Sequence, residues 1–394
     1  MAVEASVSAR RRKNTRRAWH AALVAGGLVA GSAASAQTMV VRAGRLLDVR
    51  TGGVTHNAFI EIRDGRIVSI GNGPARATDS VLDLSAYTVL PGLIDGHVHL
   101  TIGGTPRANA LADLNAGFTT IVDLGARSTR LLQIRDSINA GLIPGPRVLA
   151  AGVWIGRQGG VCEFNGIGIA GGADAYRARV RENAAAGAEV MKACVSGWPA
   201  AAFANPDAYE MPDSILAAVV DESRKVGRRV VAHDISAGGV RAALRAGVAG
   251  LAHAAYLDAA LASQLAARGV FLIPTLASLA PDSSPASLGL VASVGTASRA
   301  GVVLVFGTDG GVLPHGQNAQ EFVALSRAGV PALDAIRAAT VNAARAFGIA
   351  DSVGVLAPGM VADLIAVDGD PLTDTPVLQR VRVVVSRGRV VKQP

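Results

Sequence analysis

Leu90-Pro91-Gly92-Leu93-Ile94-Asp95-Gly96-His97-Val98-His99 is a short apolar run that ends in two histidines one residue apart. Side chains alternate across a strand, so His97 and His99 share a face while Val98 points into packing. Two imidazoles on one face at the end of a buried strand can hold a metal ion from the same side. Such an ion needs further ligands, and other runs of the chain end in residues able to supply them.

Downstream, apolar strand-like runs occur near 93–99, 119–124, 147–152, 189–196, 230–235, 250–254, 270–276 and 302–308. Helical stretches rich in Ala, Arg and Glu fill most of the gaps, for example Ala173–Ala186, Ser214–Val226 and Ala237–Ala246. Eight strands alternating with helices predict an α/β fold, a (β/α)8 or TIM barrel. Continuous apolar strands suit a parallel sheet buried on both faces. A dinucleotide-binding sheet is the competitor, but no glycine-rich phosphate fingerprint opens the first strand–helix unit.

Both ends of the chain carry a different pattern. Met39–Arg42, Ala58–Arg63, Arg66–Gly71 and Val81–Asp83 read as short strands, with Asp64-Gly65 as a hairpin turn. Ala362–Val367, Val381–Ser386 and Arg389–Lys392 read alike, with the turn Arg387-Gly388 between the last two. The expectation is one small β-domain built from both termini. The chain then divides into residues 1–36, a first β part at 37–90, the barrel at 91–350 and a second β part at 351–394.

The polar residues at the strand ends form one set. The first strand gives His97 and His99, the fourth Lys192, the fifth His233, the sixth His253 and the eighth Asp309. The C-terminal ends of barrel strands are where active sites are built. Each residue alone has a bland explanation: a hydrogen-bonded core histidine, or an aspartate capping the next helix. A buried lysine is rare and needs a cause of its own. Six such residues at the same end of five strands point to a metal site.

Residues 1–36 read as an export signal: a basic cluster from Arg10 to Arg17, an apolar stretch from Ala21 to Gly31, and small residues ending at Ala36. The apolar stretch is too short to span a bilayer. Thr15-Arg16-Arg17-Ala18-Trp19 also resembles a twin-arginine signal. The mature protein is therefore expected in the periplasm or secreted, without insertion into the membrane. This segment holds +5 of the chain's formal charge of +8, leaving about +3, so the basic balance gives no support to nucleic-acid binding. The two cysteines, Cys162 and Cys194, are too few for a zinc knuckle, and whether they pair is left open by the sequence.

Nearly the full mature length resembles the amidohydrolase superfamily. Pro91–His99 is similar to its opening motif, Gly117–Asp123 to its second strand and Pro358–Leu364 to its return into a β-sandwich. The resemblance implies two divalent metal ions, with zinc the first choice over manganese or cobalt. It implies that His97, His99 and Asp309 hold one ion, that His233 and His253 hold the other, and that a CO2-carboxylated Lys192 bridges them. A hydroxide shared by the two ions would attack the substrate carbonyl, and Asp309 would pass its proton to the leaving amine.

Gly307–Ala319 resembles the strand-eight loop of the imidazolonepropionase-like subgroup, which includes exported dipeptidases, Xaa-Pro and Xaa-Arg carboxypeptidases and ochratoxin-type amidases; Pro274-Thr275-Leu276 fits the same subgroup. The implied substrate is a small molecule with an amide or peptide bond, a dipeptide or an N-acyl amino acid. His315, Tyr256 and Trp198 are candidate pocket residues, and Arg127, Arg130 and Arg157 are candidate partners for a substrate carboxylate. The chain departs from its relatives at Ser196-Gly197-Trp198, at Ala254 and in the short stretch from Pro274 to Asp309, all beside the pocket. Lactone or organophosphate ester hydrolysis on the same metals is the alternative, and a non-catalytic barrel a third reading. Homo-oligomer formation is left open.

Overall fold

The computed structural model describes residues 38–73 and 80–394; the expected export segment lies outside them. Four strands open the described chain: β1 (Thr38–Leu47), β2 (Val54–Arg63), β3 (Arg66–Gly71) and β4 (Ser80–Pro91). Seven short strands follow: β5 (Leu93–Val98), β6 (Phe118–Asp123), β7 (Arg147–Ala150), β8 (Val190–Cys194), β9 (Arg229–Asp234), β10 (Gly250–His253) and β11 (Phe271–Ile273). Three close it: β12 (Leu364–Val367), β13 (Val381–Ser386) and β14 (Arg389–Lys392).

The terminal strands make one seven-stranded sheet in the order β14-β13-β12-β4-β1-β2-β3. Strands from both ends of the chain meet where β12 runs antiparallel to β4. The register of β1 on β4 slips between Ala43 and Arg45. Gly44 sits at that slip, where a Cβ would come within 2.0 Å of the Ser85 carbonyl oxygen, so only glycine fits. The sandwich expected from the resemblance is, in its hydrogen bonding, a single continuous mixed sheet.

The central strands are parallel. β5-β6-β7 form one sheet and β8-β9-β10-β11 another. The Ile155 and Cys194 amides join them, donating to the carbonyls of Lys192 and Ile155. On the far side, Leu272 donates to Val303 and Val305 to Leu272, while Gly96 donates to Phe306 and His99 to Gly310. These bonds carry the pairing from β5 round to the eighth run and back to β5. That run, expected as a strand over 302–308, pairs only through isolated bridges at Leu304 and Gly310. The Phe306 amide turns instead to the Ala338 carbonyl, in a wide helical turn over 338–342, and the Thr308 amide is shared between the Asp95 carboxylate at 3.2 Å and the His97 carbonyl at 3.3 Å.

Strands β5 through β8 are buried along almost their whole length, as strands covered on both faces must be. An inner core takes side chains from all eight runs: Ile94, Val122, Leu149, Val190, Val231, Ala252, Phe271 and Val305. A larger core packs the strands' other faces against the helices. Local chemistry sets the helix ends. Ser236 accepts the Gly239 amide at the start of helix 237–246, and Gly247, at φ 77°, stops it; Asp258 accepts the Leu261 amide to start helix 259–267.

Candidate metal centre

The register of β5 breaks between Asp95 and Val98. Ile94 belongs to the inner core, and simple alternation would bring Gly96 to that face and turn His97 away from it. The irregularity at 96–97 reverses the parity and aims both histidines into the ring, a common use of a bulge beside a functional site. Asp95 holds it. Its Oδ1 accepts the His97 amide at 3.0 Å and the Thr308 amide at 3.2 Å; its Oδ2 accepts the Thr308 hydroxyl at 2.6 Å and the Asn318 side-chain amide at 2.8 Å. One carboxylate thus locks the first strand to the segment carrying Asp309. Burial, against those bonds, raises its pKa to about 7.

Positive φ angles at His253 (79°), Ala254 (45°), Tyr256 (58°), Thr275 (54°) and Asp309 (56°) concentrate backbone strain at the ends of the sixth, seventh and eighth runs. Strain of this kind costs about 1–3 kcal/mol per residue and persists where the surroundings enforce it. Glu321 enforces the turn at Thr275, accepting the Leu276 amide at 3.0 Å and the Ala277 amide at 2.6 Å.

All six sequence-predicted ligands converge. His97 Nε2 lies 3.3 Å from both Asp309 Oδ1 and Lys192 Nζ, and His99 Nε2 lies 3.1 Å from the same Asp309 oxygen. The ring centroids of His97 and His253 are 5.2 Å apart, and those of His233 and His253 4.6 Å. One ligand atom each from His97, His253 and Asp309 fits within a mutual 4.8 Å, so the two expected ligand sets interleave.

Two imidazoles have their tautomers fixed from behind. His99 Nδ1 bonds the Gly125 carbonyl at 2.9 Å, so it carries the proton and Nε2 keeps its lone pair. His253 Nδ1 lies 2.7 Å from Thr275 Oγ1, whose own proton goes to the Pro274 carbonyl. Thr275 therefore accepts, and His253 Nε2 also faces the site with a lone pair. Asp123 shapes the Gly125 turn, accepting the Leu100 and Gly125 amides at 2.7 and 2.9 Å. His233 Nε2 is buried without a partner, a state that a cation would relieve.

The electrostatics favour a cation. Burial and the neighbouring Lys192 push His97 well below the ordinary imidazole range and His233 down to about 3. Burial and His233 lower His253 in the same way. Burial would raise Asp309, but His97 and His99 outweigh it and hold the carboxyl well below its usual range. Burial brings Lys192 down to about 7, opposed by the Asp309 charge. Burial thus disfavours the charged form of His97, His233 and His253, beside one carboxylate and an amine with a pKa of about 7. Those donors suit a divalent metal.

A cavity of about 250 Å³ opens onto this cluster. Trp198 and Arg127 line it; Tyr256 and His315 do not. His315 is held behind the centre, with Nδ1 2.8 Å from Asp113 and Nε2 3.3 Å from the His99 carbonyl oxygen, so it braces the first strand. Arg157 is turned toward Glu210 at 3.8 Å, and Arg130 lies outside the cavity lining. Cys162 and Cys194 form a disulfide with Cα atoms 6.2 Å apart. A larger depression of about 700 Å³ between residues 138–145 and 386–391 holds none of the cluster, so size alone does not mark the site.

Sequence reading passed over Asp95, Asp123, Thr275 and Glu321. The first three lie inside the motifs quoted for the resemblance, but their role is to hold ligands, and that shows only in three dimensions.

An α/β fold with histidines, an aspartate and a lysine gathered at the C-terminal ends of parallel strands defines a hydrolase-type site. Residues 88–391 match the amidohydrolase family, and the chain belongs to it; it is an enzyme, a hydrolase acting on amide bonds. It is 28% identical to ochratoxinase from Aspergillus niger over an alignment of 431 positions, gaps included, that covers 93% of this chain and 89% of that protein. The crystal structure of A. niger ochratoxinase is similar with a TM-score of 0.80 at 26% identity, over 91% of this chain and 96% of that one. A Xaa-Pro dipeptidase crystallised with methionine in its active site is similar with a TM-score of 0.83 at 28% identity, over 90% of this chain and the whole of that one.

Proposed function

We propose that this chain is an exported, binuclear metal-dependent amidohydrolase that cleaves dipeptides or N-acyl amino acids. On this reading the central strands form a (β/α)8 barrel over 91–350, with residues 37–90 and 351–394 supplying a β-sandwich. The observation that carries the reading is the single buried cluster of six donors, two of them with lone pairs fixed inward by Gly125 and Thr275. His97, His99 and Asp309 would hold one ion, His233 and His253 the other, with Zn2+ the expected metal.

When bound, such ions acidify a water to near neutral pH and polarise a carbonyl. Lys192 would join the two ligand sets as a carbamate. Its lowered pKa of about 7 leaves much of the amine neutral, the form that adds CO2, and the addition releases one proton. A bare ammonium 3.3 Å from His97 would repel cations; a carbamate reverses that charge. Asp309 Oδ1, ionised and facing both His97 and His99, takes the proton of the attacking water and returns it to the leaving nitrogen.

The Cys162–Cys194 disulfide supports an oxidising compartment, the periplasm or the exterior. The test is a panel of N-acyl amino acids and dipeptides assayed beside lactones and phosphotriesters. Turnover concentrated on the C–N substrates is expected. Turnover confined to the esters would replace this reading.

A further inference from the structure

We propose that Arg127 is the specificity-determining residue of the site: it binds a carboxylate of the substrate, and the Cys162–Cys194 disulfide positions it through Phe164. The inference rests on the proposed amide hydrolysis and names the group that selects its substrates.

Apart from the ligand cluster, every side chain lining the cavity is apolar or aromatic except Arg127. Among the described residues, no carboxylate lies within salt-bridge distance of its guanidinium, whereas Arg135 and Arg157 pair with Glu189 and Glu210. A cation at an apolar mouth without an acidic partner is matched to an anion brought by the ligand.

Its seat is built. The Arg127 guanidinium carbon lies 5.7 Å from the centre of the Phe164 ring, a stacking arrangement that holds the planar group while leaving its edge free to donate. Phe164 packs on Trp154 at 5.1 Å between centroids, and Trp154 on His99 at 5.4 Å. A continuous aromatic wall thus runs from a metal-site histidine to the cation. The disulfide fixes this wall at its loop end. Cys162 lies two residues before Phe164, and Cys194 lies two residues after Lys192 on β8. The Glu210 carboxylate adds a second anchor, accepting the Val161 amide at 2.8 Å. Gly156 leaves room for the bridge, since a Cβ there would sit 3.1 Å from that of Cys194 and 3.3 Å from that of Cys162.

The chemical consequence is a preference for amides that carry a free carboxylate over the same amides with that group neutralised. The experiment compares an N-acyl amino acid with its C-terminal primary amide, using zinc-loaded wild type, Arg127→Gln, Arg127→Lys, and wild type reduced with a phosphine, which opens the disulfide as the phosphine is oxidised. Metal content and circular dichroism are recorded for each. Arg127→Gln is expected to raise KM for the acid roughly 10- to 100-fold with little change in kcat, so that the preference for acid over amide collapses. Arg127→Lys should retain part of that preference, and reduction should weaken it at unchanged metal content. Equal losses on acid and amide, or no loss on either, would overturn the carboxylate site while leaving amide hydrolysis standing. A wild type inert toward both compounds overturns the proposed N-acyl amino acid substrate class and the carboxylate site with it.

Discussion

Asp309 shows how one side chain is tuned by its neighbours. It is buried, which favours the neutral acid, yet His97 and His99 keep it ionised and in place to accept a proton. Asp309→Asn keeps the shape and removes the base. Turnover should fall at least about 1000-fold with the circular dichroism spectrum unchanged; wild-type rates in this variant would remove the proton-transfer role. Asp95 acts differently, because its four hydrogen bonds tie ligand segments together. Asp95→Ala leaves several buried donors unpaired and should cost roughly 3 kcal/mol or more in urea unfolding. At this scale the six candidate ligands were legible in the sequence, because chemistry-bearing residue types are uncommon at the ends of apolar runs. Asp95 and Thr275 were not, since a bracing role depends on which groups end up within 3 Å. His315 misled for the same reason: a histidine in a loop can face substrate or brace a strand, and its bond to Asp113 decides for the brace.

The strand end is the unit that turns these residues into a site. Sequence alternation placed His97 and His99 on one face, and the helices at Ala173–Ala185 and Ala237–Ala246 fall where their Ala-, Arg- and Glu-rich composition predicted them. The irregularity at 96–97 and the left-handed turns at His253, Thr275 and Asp309 were not legible, because non-glycine residues there are held against their local preference by distant groups. Thr275 is the clearest case. Glu321 fixes its turn, and Thr275 in turn fixes the tautomer of His253. Thr275→Val removes that acceptor without changing volume much. Metal affinity should fall roughly 10- to 100-fold while the fold is kept, as is usual when the partner of a ligating histidine is lost. Titration of metal-free protein with zinc measures it, and an unchanged affinity would show that His253 needs no such partner.

Across the whole molecule, both ends of the described chain meet in one sheet while the six candidate ligands lie on or just past the central runs. Strand content at both termini foretold that arrangement, but the pairing of β12 on β4 and the slip at Gly44 depend on contacts that a linear reading cannot supply. The Cys162–Cys194 bridge is similar, since permission to pair comes from the compartment and the decision from distance. The buried centre also sets a global pH response in the metal-free protein. His233 has a folded pKa of about 3 against an ordinary 6.5, so between those values the unfolded chain binds the extra proton. Its contribution to stability is complete above pH 6.5 and is lost as pH falls toward 3, by at most about 1.4 kcal/mol per pH unit for one imidazole. Urea midpoints of chelator-treated protein should therefore decline through this window, and a His233→Gln variant should decline less steeply.

The central claim is that His97, His99, Lys192, His233, His253 and Asp309 together hold a pair of divalent ions. Elemental analysis of purified protein, reconstituted with zinc and bicarbonate and freed of excess metal, tests it most directly. About two ions per chain are expected in the wild type, with less than about half of that retained in Lys192→Ala. A wild type that stays metal-free after reconstitution, or a Lys192→Ala variant that binds as much metal as the wild type, would contradict it.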